Sequence, residues 1–336
     1  MRQLALTRAS TLGPILEYIE KGGGSVERVF QAAELPLQIC DRPNALFPLR
    51  DQFKILELAA RELGDDALPA RLATSIGTAG LGVFGDKFVA ARTLGDAITE
   101  GNEIYFSTLQ SATNIKLTIE GRMARWSYAV EEHTDAGRQK NELLAMGYMM
   151  DLIRRYAGPQ WVPTRVEVPG SPLHGRRAVE NILRCDISSG KVASTIFPAE
   201  LLEITNPSPK LSSILLDTEV PAPTDFQACL QELVRLGLLT GRPQRAWVAR
   251  RLGLSVRTMQ RRLNDEGISF AGLAAAVIKR QAADLLRHRD VPISDIAYEL
   301  GYSDPAHFTR AFNRWYGQSP QAWRKTERTA SLGNRL

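Results

Sequence analysis

The strongest constraint in this sequence is an internal repeat near its C-terminal end. Trp247–Leu263 reads WVARRLGLSVRTMQRRL, and Ile296–Phe312 reads IAYELGYSDPAHFTRAF. Ala249 aligns with Ala297, Leu252-Gly253 with Leu300-Gly301, Arg261 with Arg310, and Leu263 with Phe312. The offset is 48 residues up to the glycine and 49 beyond it, so one copy carries an extra residue in its turn. Each copy reads as a short amphipathic helix, a turn at glycine, and a second helix opening at Ser255 or Asp304. That is a helix-turn-helix used twice, at about 245–264 and 293–314.

Each half has a physical reason for its pattern. Val248 and Leu252 lie four apart and bury one face of a short helix. Gly253 permits the left-handed turn that ends it, and Ser255 caps the next helix. There Val256, Met259 and Leu263 form an inward stripe. The outer face carries Arg257, Gln260 and Arg261, flanked by Thr258 and Arg262. Arginine and glutamine are side chains that pair with guanine and adenine edges in the major groove. In the second half Asp304 is the cap and Pro305 takes the first helical position. Phe308, Ala311 and Phe312 point inward; Ala306, His307 and Arg310 point out, with Arg314 one turn further on. A lone exposed arginine is ordinarily a solvated charge. The repeat, the caps and the shared basic face together mark these residues as DNA contacts, with Arg262 and Arg314 on phosphates.

Between the two halves, Phe270–Arg289 reads as a helix with Leu273, Ala276, Val277, Ala283 and Leu286 on its apolar face. At ~1.5 Å rise per residue such a helix is ~30 Å long. That suits two recognition helices one turn of DNA apart, ~34 Å.

Charge supports a nucleic-acid partner. Residues 221–336 hold 18 Lys+Arg against 10 Asp+Glu, a balance of +8, whereas the first 220 hold 24 against 27, or −3. A basic rear segment behind a mildly acidic front is the footprint of a nucleic-acid binder with another role at its front end. Cys40, Cys185 and Cys229 are few, odd in number and far apart, which fits a reducing cytoplasm rather than a disulfide framework. No secretory signal and no apolar run of membrane-spanning length is read, so a cytoplasmic protein without a membrane partner is expected.

The front residues read as a mixed domain. Helices are expected over Leu12–Ile19, Val26–Ala33, Leu49–Leu63, Pro69–Ile76, Thr93–Leu109, Asn141–Tyr156 and Arg177–Leu183. Gly22-Gly23-Gly24 is a turn, with Ser25 capping the helix after it. Thr113–Ile119 alternates apolar and polar residues, Gly121-Arg122 turns, and Met123–Val130 returns as the hairpin partner. Val162–Val168 and Val192–Phe197 are further strands, and Pro198–Glu203 closes the domain. The fold class is therefore α+β at the front, helices on a small antiparallel sheet, and all-α at the rear. The expected domains are 1–205 and 224–328, with a linker over 206–223 bracketed by Pro207–Pro209 and Pro221–Pro223.

Gly80, Gly82 and Gly85 satisfy G-x-G-x-x-G, but a dinucleotide site needs a strand before it and a parallel βαβ unit around it. Neither is read here, so a glycine-rich connection is the better account. His133, His174, His288 and His307 lack metal-ligand spacing, and no base–nucleophile set emerges. No cofactor, metal or catalytic residue is assigned. The candidates for lining a cavity in the front domain are Tyr105, Trp126 and Tyr128, with Arg125 meeting an anionic group.

The segment DIAYELGYSDPAHFTRAFNRWYGQSPQAWRK (Asp295–Lys325) resembles the signature of the AraC/XylS family of bacterial transcription regulators. The likeness rests on Ile296-Ala297, Gly301-Tyr302, Phe308, Arg310-Ala311-Phe312 and the Gly317…Ser319-Pro320…Trp323 ending, and runs from about Pro243 to Lys325. It implies base-contacting positions at Arg257, Gln260 and Arg261, and at Ala306, His307 and Arg310. Ala306 departs from the polar residue some relatives carry. The front segments Gly80–Ile98 and Phe197–Leu202 resemble the arabinose-binding-like domain of one branch of that family. This implies effector sensing and a homodimer, without implying arabinose, and RNA polymerase as a partner if the protein activates. The alternatives are a constitutive DNA-binding regulator whose front domain only dimerises, or an enzyme acting on a nucleotide or metabolite.

Overall fold

In the computed structural model, which describes residues 4–78, 85, 90–131, 137–170, 172–207, 219–241 and 243–333, the chain divides into two compact units between Thr224 and Asp225. The first opens with a short strand, β1 (Leu6–Arg8), paired antiparallel with β2 (Leu46–Pro48). Between them run α1 (Gly13–Lys21) and α2 (Val26–Ala33). The Ser25 hydroxyl caps α2, accepting from the Arg28 N–H at 3.2 Å. α3 (Leu49–Leu63) and α4 (Leu68–Ile76) follow. Of the G-x-G-x-x-G residues, Gly80 and Gly82 lie outside the described residues. The element before them is the helix α4, not the strand a dinucleotide site requires. α5 (Leu94–Thr108) begins with a reciprocal cap in which Thr93 and Asp96 each accept the other's backbone N–H. Two N–H groups that a helix start would leave unpaired are thereby satisfied.

The sheet is built by the alternation read at residues 113–130. β3 (Thr113–Glu120) and β4 (Met123–Val130) form an antiparallel hairpin, turned at Gly121 with φ of 61°. After α6 (Arg138–Ala157) come β5 (Arg165–Val168), α7 (Arg176–Leu183), β6 (Ile187–Ser189) and β7 (Ala193–Pro198). The strand order is β3-β4-β7-β5-β6. Its neighbours run antiparallel except β5 and β6, which are parallel and joined through α7. The strand expected from Val162 begins only at Arg165. Pro163 has no N–H to give a ladder, and sheet pairing starts with the Thr164 N–H on the Ile196 carbonyl at 2.9 Å. One sheet face is apolar: Ala124, Trp126, Tyr128 and Val130 of β4 are buried there with Val166, Val168 and Phe197. Leu143, Met146, Met150 and Ile153 of α6 share that core.

Among its described residues the second unit is all helix: α8 (Phe226–Leu238), α9 (Arg245–Arg251), α10 (Val256–Asp265), α11 (Phe270–His288), α12 (Ile293–Glu299), α13 (Pro305–Tyr316) and α14 (Pro320–Gly333). α8, absent from the sequence reading, buries Cys229, Leu230, Leu233 and Val234. α11 is 19 residues long, ~28 Å at ~1.5 Å per residue. Its inward face differs from the expected one. Ala276 is exposed, and Leu273, Val277, Ala283 and Leu286 are joined instead by Ile278, Ala282 and Leu285. Packing on two sides, with α8 and with α14, spreads the buried stripe beyond a single a/d-like line. The expected linker at 206–223 falls mostly on residues outside the description.

Candidate nucleic-acid interface

The repeat in the sequence is a repeat in hydrogen bonding. In the first copy the Gly253 N–H donates to the Arg250 carbonyl at 2.9 Å, and the Leu254 N–H donates to Ala249 at 2.9 Å. In the second, Gly301 donates to Tyr298 and Tyr302 to Ala297, each at 3.0 Å. The aligned alanines thus receive the N–H of the residue after glycine, which closes the first helix of each pair. Both glycines are left-handed, at φ 66° and 76°. The extra residue of the second copy, Ser303, sits between this turn and the cap at Asp304. The caps hold: Ser255 Oγ accepts from Thr258 N–H at 3.1 Å, and Asp304 Oδ1 from Ala306 N–H at 2.8 Å.

The inward stripes are buried as the spacing requires, through Val248, Leu252, Met259 and Leu263 in one copy and Ile296, Leu300, Phe308 and Phe312 in the other. Val256 is half-buried. The second copy is braced by aromatic rings. Phe312 lies 5.8 Å from Phe308, 4.6 Å from Tyr316 and 5.9 Å from Trp323 between ring centroids. The Tyr316 hydroxyl donates to the Lys279 carbonyl at 3.0 Å, tying α13 to α11.

On the outer faces, Arg257 and Arg261 of α10 are exposed, as are Ala306, His307, Arg310 and Arg314 of α13; Gln260 is half-buried. Among the described residues none of these four arginines has a carboxylate partner. Other exposed arginines of the unit do: Arg287 reaches Glu327 at 3.0 Å, and Arg289 reaches Glu299 at 2.6 Å. Charges left open on one face are available to phosphates and base edges. His307 sits 4.0 Å from the Asp304 carboxylate. Thr258 is engaged with its own cap, its hydroxyl 2.9 Å from Ser255 Oγ. Arg262 is half-buried, with its guanidinium 5.6 Å from the Phe226 ring centroid, so it is held against α8.

The first unit contains a cavity between the apolar sheet face and α6. Its wall includes Tyr105, Trp126 and Tyr128, with Gln110, Asn141 and Tyr148. Arg125, the fourth residue expected there, is not in that wall. Successive residues of a strand face opposite ways, so the pleat that turns Trp126 and Tyr128 inward turns Arg125 to the other face. There its guanidinium donates to Glu167 Oε2 and to Ser194 Oγ, both at 2.7 Å. The Arg125 hydrogen bond holds the Glu167 carboxyl below the usual carboxylate range. Sequence reasoning missed Gln52, Gln110, Asn141 and Tyr148. They are polar residues on turns or largely buried helices, and only the fold brings them together.

Among the described residues no group of three His, Cys, Asp or Glu side chains is placed to hold a metal. Burial pushes the Cys40 and Cys185 thiols up to about 11 and Cys229 up to about 12, away from reactive thiolate character. Among the same residues no helix is long and apolar enough to cross a membrane.

Comparison with known proteins agrees with this layout. Residues 23–206, more than half of the chain, match the arabinose-binding domain of AraC transcription regulators, and residues 248–326 match a helix-turn-helix domain family. The chain is 24% identical over 331 residues to the HTH-type transcriptional regulator VirS of Mycobacterium tuberculosis, covering 95% of this chain and 96% of that one. It is 25% identical over 320 residues to the ornithine utilization regulator of Pseudomonas aeruginosa, covering 93% and 94%. The crystal structure of the transcriptional regulator CdpR from P. aeruginosa covers 93% of this chain and 96% of its own, at a TM-score of 0.41 and 21% identity. These relatives are transcription regulators rather than enzymes. The chain belongs to the AraC family of DNA-binding transcription regulators, in the branch whose N-terminal domain is of the arabinose-binding type.

Proposed function

We propose that this regulator reads two successive major-groove segments on one face of duplex DNA, under the control of a small effector held in its first unit. Arg257, Gln260 and Arg261 contact bases from α10; His307 and Arg310, with Ala306 against an apolar base edge, contact them from α13. Arg314 and the N–H groups at the helix starts bind phosphates. The observation that carries the reading is the set of exposed arginines on the outer faces of both repeat copies that have, among the described residues, no carboxylate partner. The ~28 Å helix between the copies supplies a spacing near one turn of DNA. Binding of the effector biases the presentation of the second unit by stabilising one state over another. The protein works in the cytoplasm as a homodimer through its first unit, and meets RNA polymerase where it activates.

Two measurements test the assignment. Arg261→Ala or Arg310→Ala costs ~1–3 kcal/mol in DNA affinity and relaxes preference at one base position. A variant with full affinity and unchanged preference removes that residue from the interface. Arg314→Ala weakens binding to all sequences alike and lowers the slope of log affinity against log salt by ~0.9. An unchanged slope shows that Arg314 touches no phosphate.

A further inference from the structure

The cavity of the first unit has an unusual balance of polar groups. Its amides and two of its phenols are spent on one another. Thr11 Oγ1 donates to Gln52 Oε1 at 2.6 Å, and Gln52 Nε2 donates to Asn141 Oδ1 at 2.7 Å. Asn141 Nδ2 and Gln110 Nε2 both donate to the Tyr128 hydroxyl, at 3.0 and 2.9 Å. The Tyr105 hydroxyl donates to Gln110 Oε1 at 3.3 Å, and Trp126 Nε1 donates to Asn102 Oδ1 at 3.2 Å. A closed network of this kind fixes its members and leaves them little capacity for a guest.

Tyr148 is the exception. It lies on α6, is 9% exposed, and lines the cavity. Among the described residues its hydroxyl has no hydrogen-bond partner. Its hydroxyl is thus an open donor on the cavity wall, and a ligand that supplies an acceptor there gains a hydrogen bond that the network leaves unmade. Around it the wall is apolar: Leu109, Ile115, Leu144, Met149 and Leu152. Among the described residues no charged side chain lines the space. The one cation expected there, Arg125, is paired on the far side of the sheet. An ionised ligand would therefore lose its hydration with no counter-charge to replace it. The cavity volume is about 60 Å³. A single water needs ~10–15 Å³ of such space, so the cavity takes a few waters or one small ring.

We propose that this cavity binds a small uncharged molecule, apolar over most of its surface, with one carbonyl or hydroxyl group that pairs with the Tyr148 hydroxyl. The proposal rests on the effector reading given above and names the chemistry of the effector. Among the described residues the wall offers no counter-charge to an anionic, cationic or zwitterionic metabolite. Burial, with a smaller contribution from Asp151, raises the Tyr148 phenol above its ordinary pKa, so it remains a neutral hydrogen-bond donor across the physiological range.

The test uses the full chain and four probes of similar size: acetophenone, ethylbenzene, benzoate and benzylamine. Binding is measured by calorimetry on the wild type and on Tyr148→Phe. Acetophenone is expected to bind best, ethylbenzene more weakly, and the two ions not at all. Tyr148→Phe is expected to weaken acetophenone by roughly tenfold, the scale of one hydrogen bond, and to leave ethylbenzene unchanged. A purely structural role for Tyr148 would move both neutral probes together, and that result overturns the assignment. So does a charged probe binding as well as acetophenone, or no binding by any of the four. Ala145→Phe, which fills the cavity from a half-buried position, gives a second check: it abolishes binding of both neutral probes, and retained binding overturns the site. The broader reading fails in a different way. If the probes behave as expected but reporter transcription in cells responds identically with and without Ala145→Phe, the ligand class stands and effector control does not.

Discussion

Phe312→Ala is expected to cost ~3–5 kcal/mol in stability, the range for removing a buried aromatic side chain. A typical domain has only ~5–15 kcal/mol to lose, so the substitution removes a large share of the margin that keeps the second helix-turn-helix folded. The reason is local. Phe312 is fully buried and its ring packs against Phe308, Tyr316 and Trp323, which join α13 to α14. With Tyr316 bonded to the α11 backbone, the same cluster fixes α13 on the helix that separates the two copies. Losing it removes the register between them, not only the fold of one. Urea unfolding followed by circular dichroism, with DNA affinity measured on the same samples, checks the prediction. A loss below ~0.5 kcal/mol, the range of an ordinary surface substitution, would show that the aromatic cluster does not hold the unit together.

Gly147→Val is expected to have the comparable effect on the first unit. A Cβ on Gly147 of α6 would stand 2.2 Å from Ala73 Cβ of α4, nearer than real carbons approach. The two helices must move apart, and α6 carries Asn141, Tyr148 and much of the core beneath the sheet. Overpacking of a filled core costs ~1–3 kcal/mol and occasionally more; the branched side chain puts this substitution at the upper end. Removing the opposing methyl should restore part of the loss. Ala73→Gly alone costs ~1 kcal/mol of helix propensity, yet combined with Gly147→Ala it should leave the protein more stable than the sum of the two changes. Additive losses in that cycle would show that the close approach of the helices is not where the strain lies.

What was legible in the sequence was whatever repeats or alternates. The two helix-turn-helix units showed because glycine, cap and apolar stripe recur at a nearly fixed offset, and each of those features has a local cause. The β3–β4 hairpin showed because alternation and a glycine turn are both strong signals. β1, β2 and β6 did not show, because each has three residues and is made by its partner rather than by its own pattern. α8 is not legible in the sequence because it lies in no repeat, and its buried face is recognisable only once α9 and α11 are in place. The effector candidates divided along the pleat: Trp126 and Tyr128 stand in one wall with Tyr105, while Arg125 faces away from it. That division was available in principle, since residues 125 and 126 of one strand cannot share a face. Tyr148 was not available, because nothing in its own stretch distinguishes an unpaired phenol from a paired one.

The most direct test of the two-copy account is selection of DNA from a random pool by the full chain, repeated with Arg261→Ala and with Arg310→Ala. The wild type should enrich two short elements on one face of the duplex, their centres ~10–10.5 base pairs apart. Each variant should relax one of the two elements and leave the other intact. A single enriched element, or variants whose selected sequences match those of the wild type, would contradict the claim that the repeated helices read neighbouring grooves.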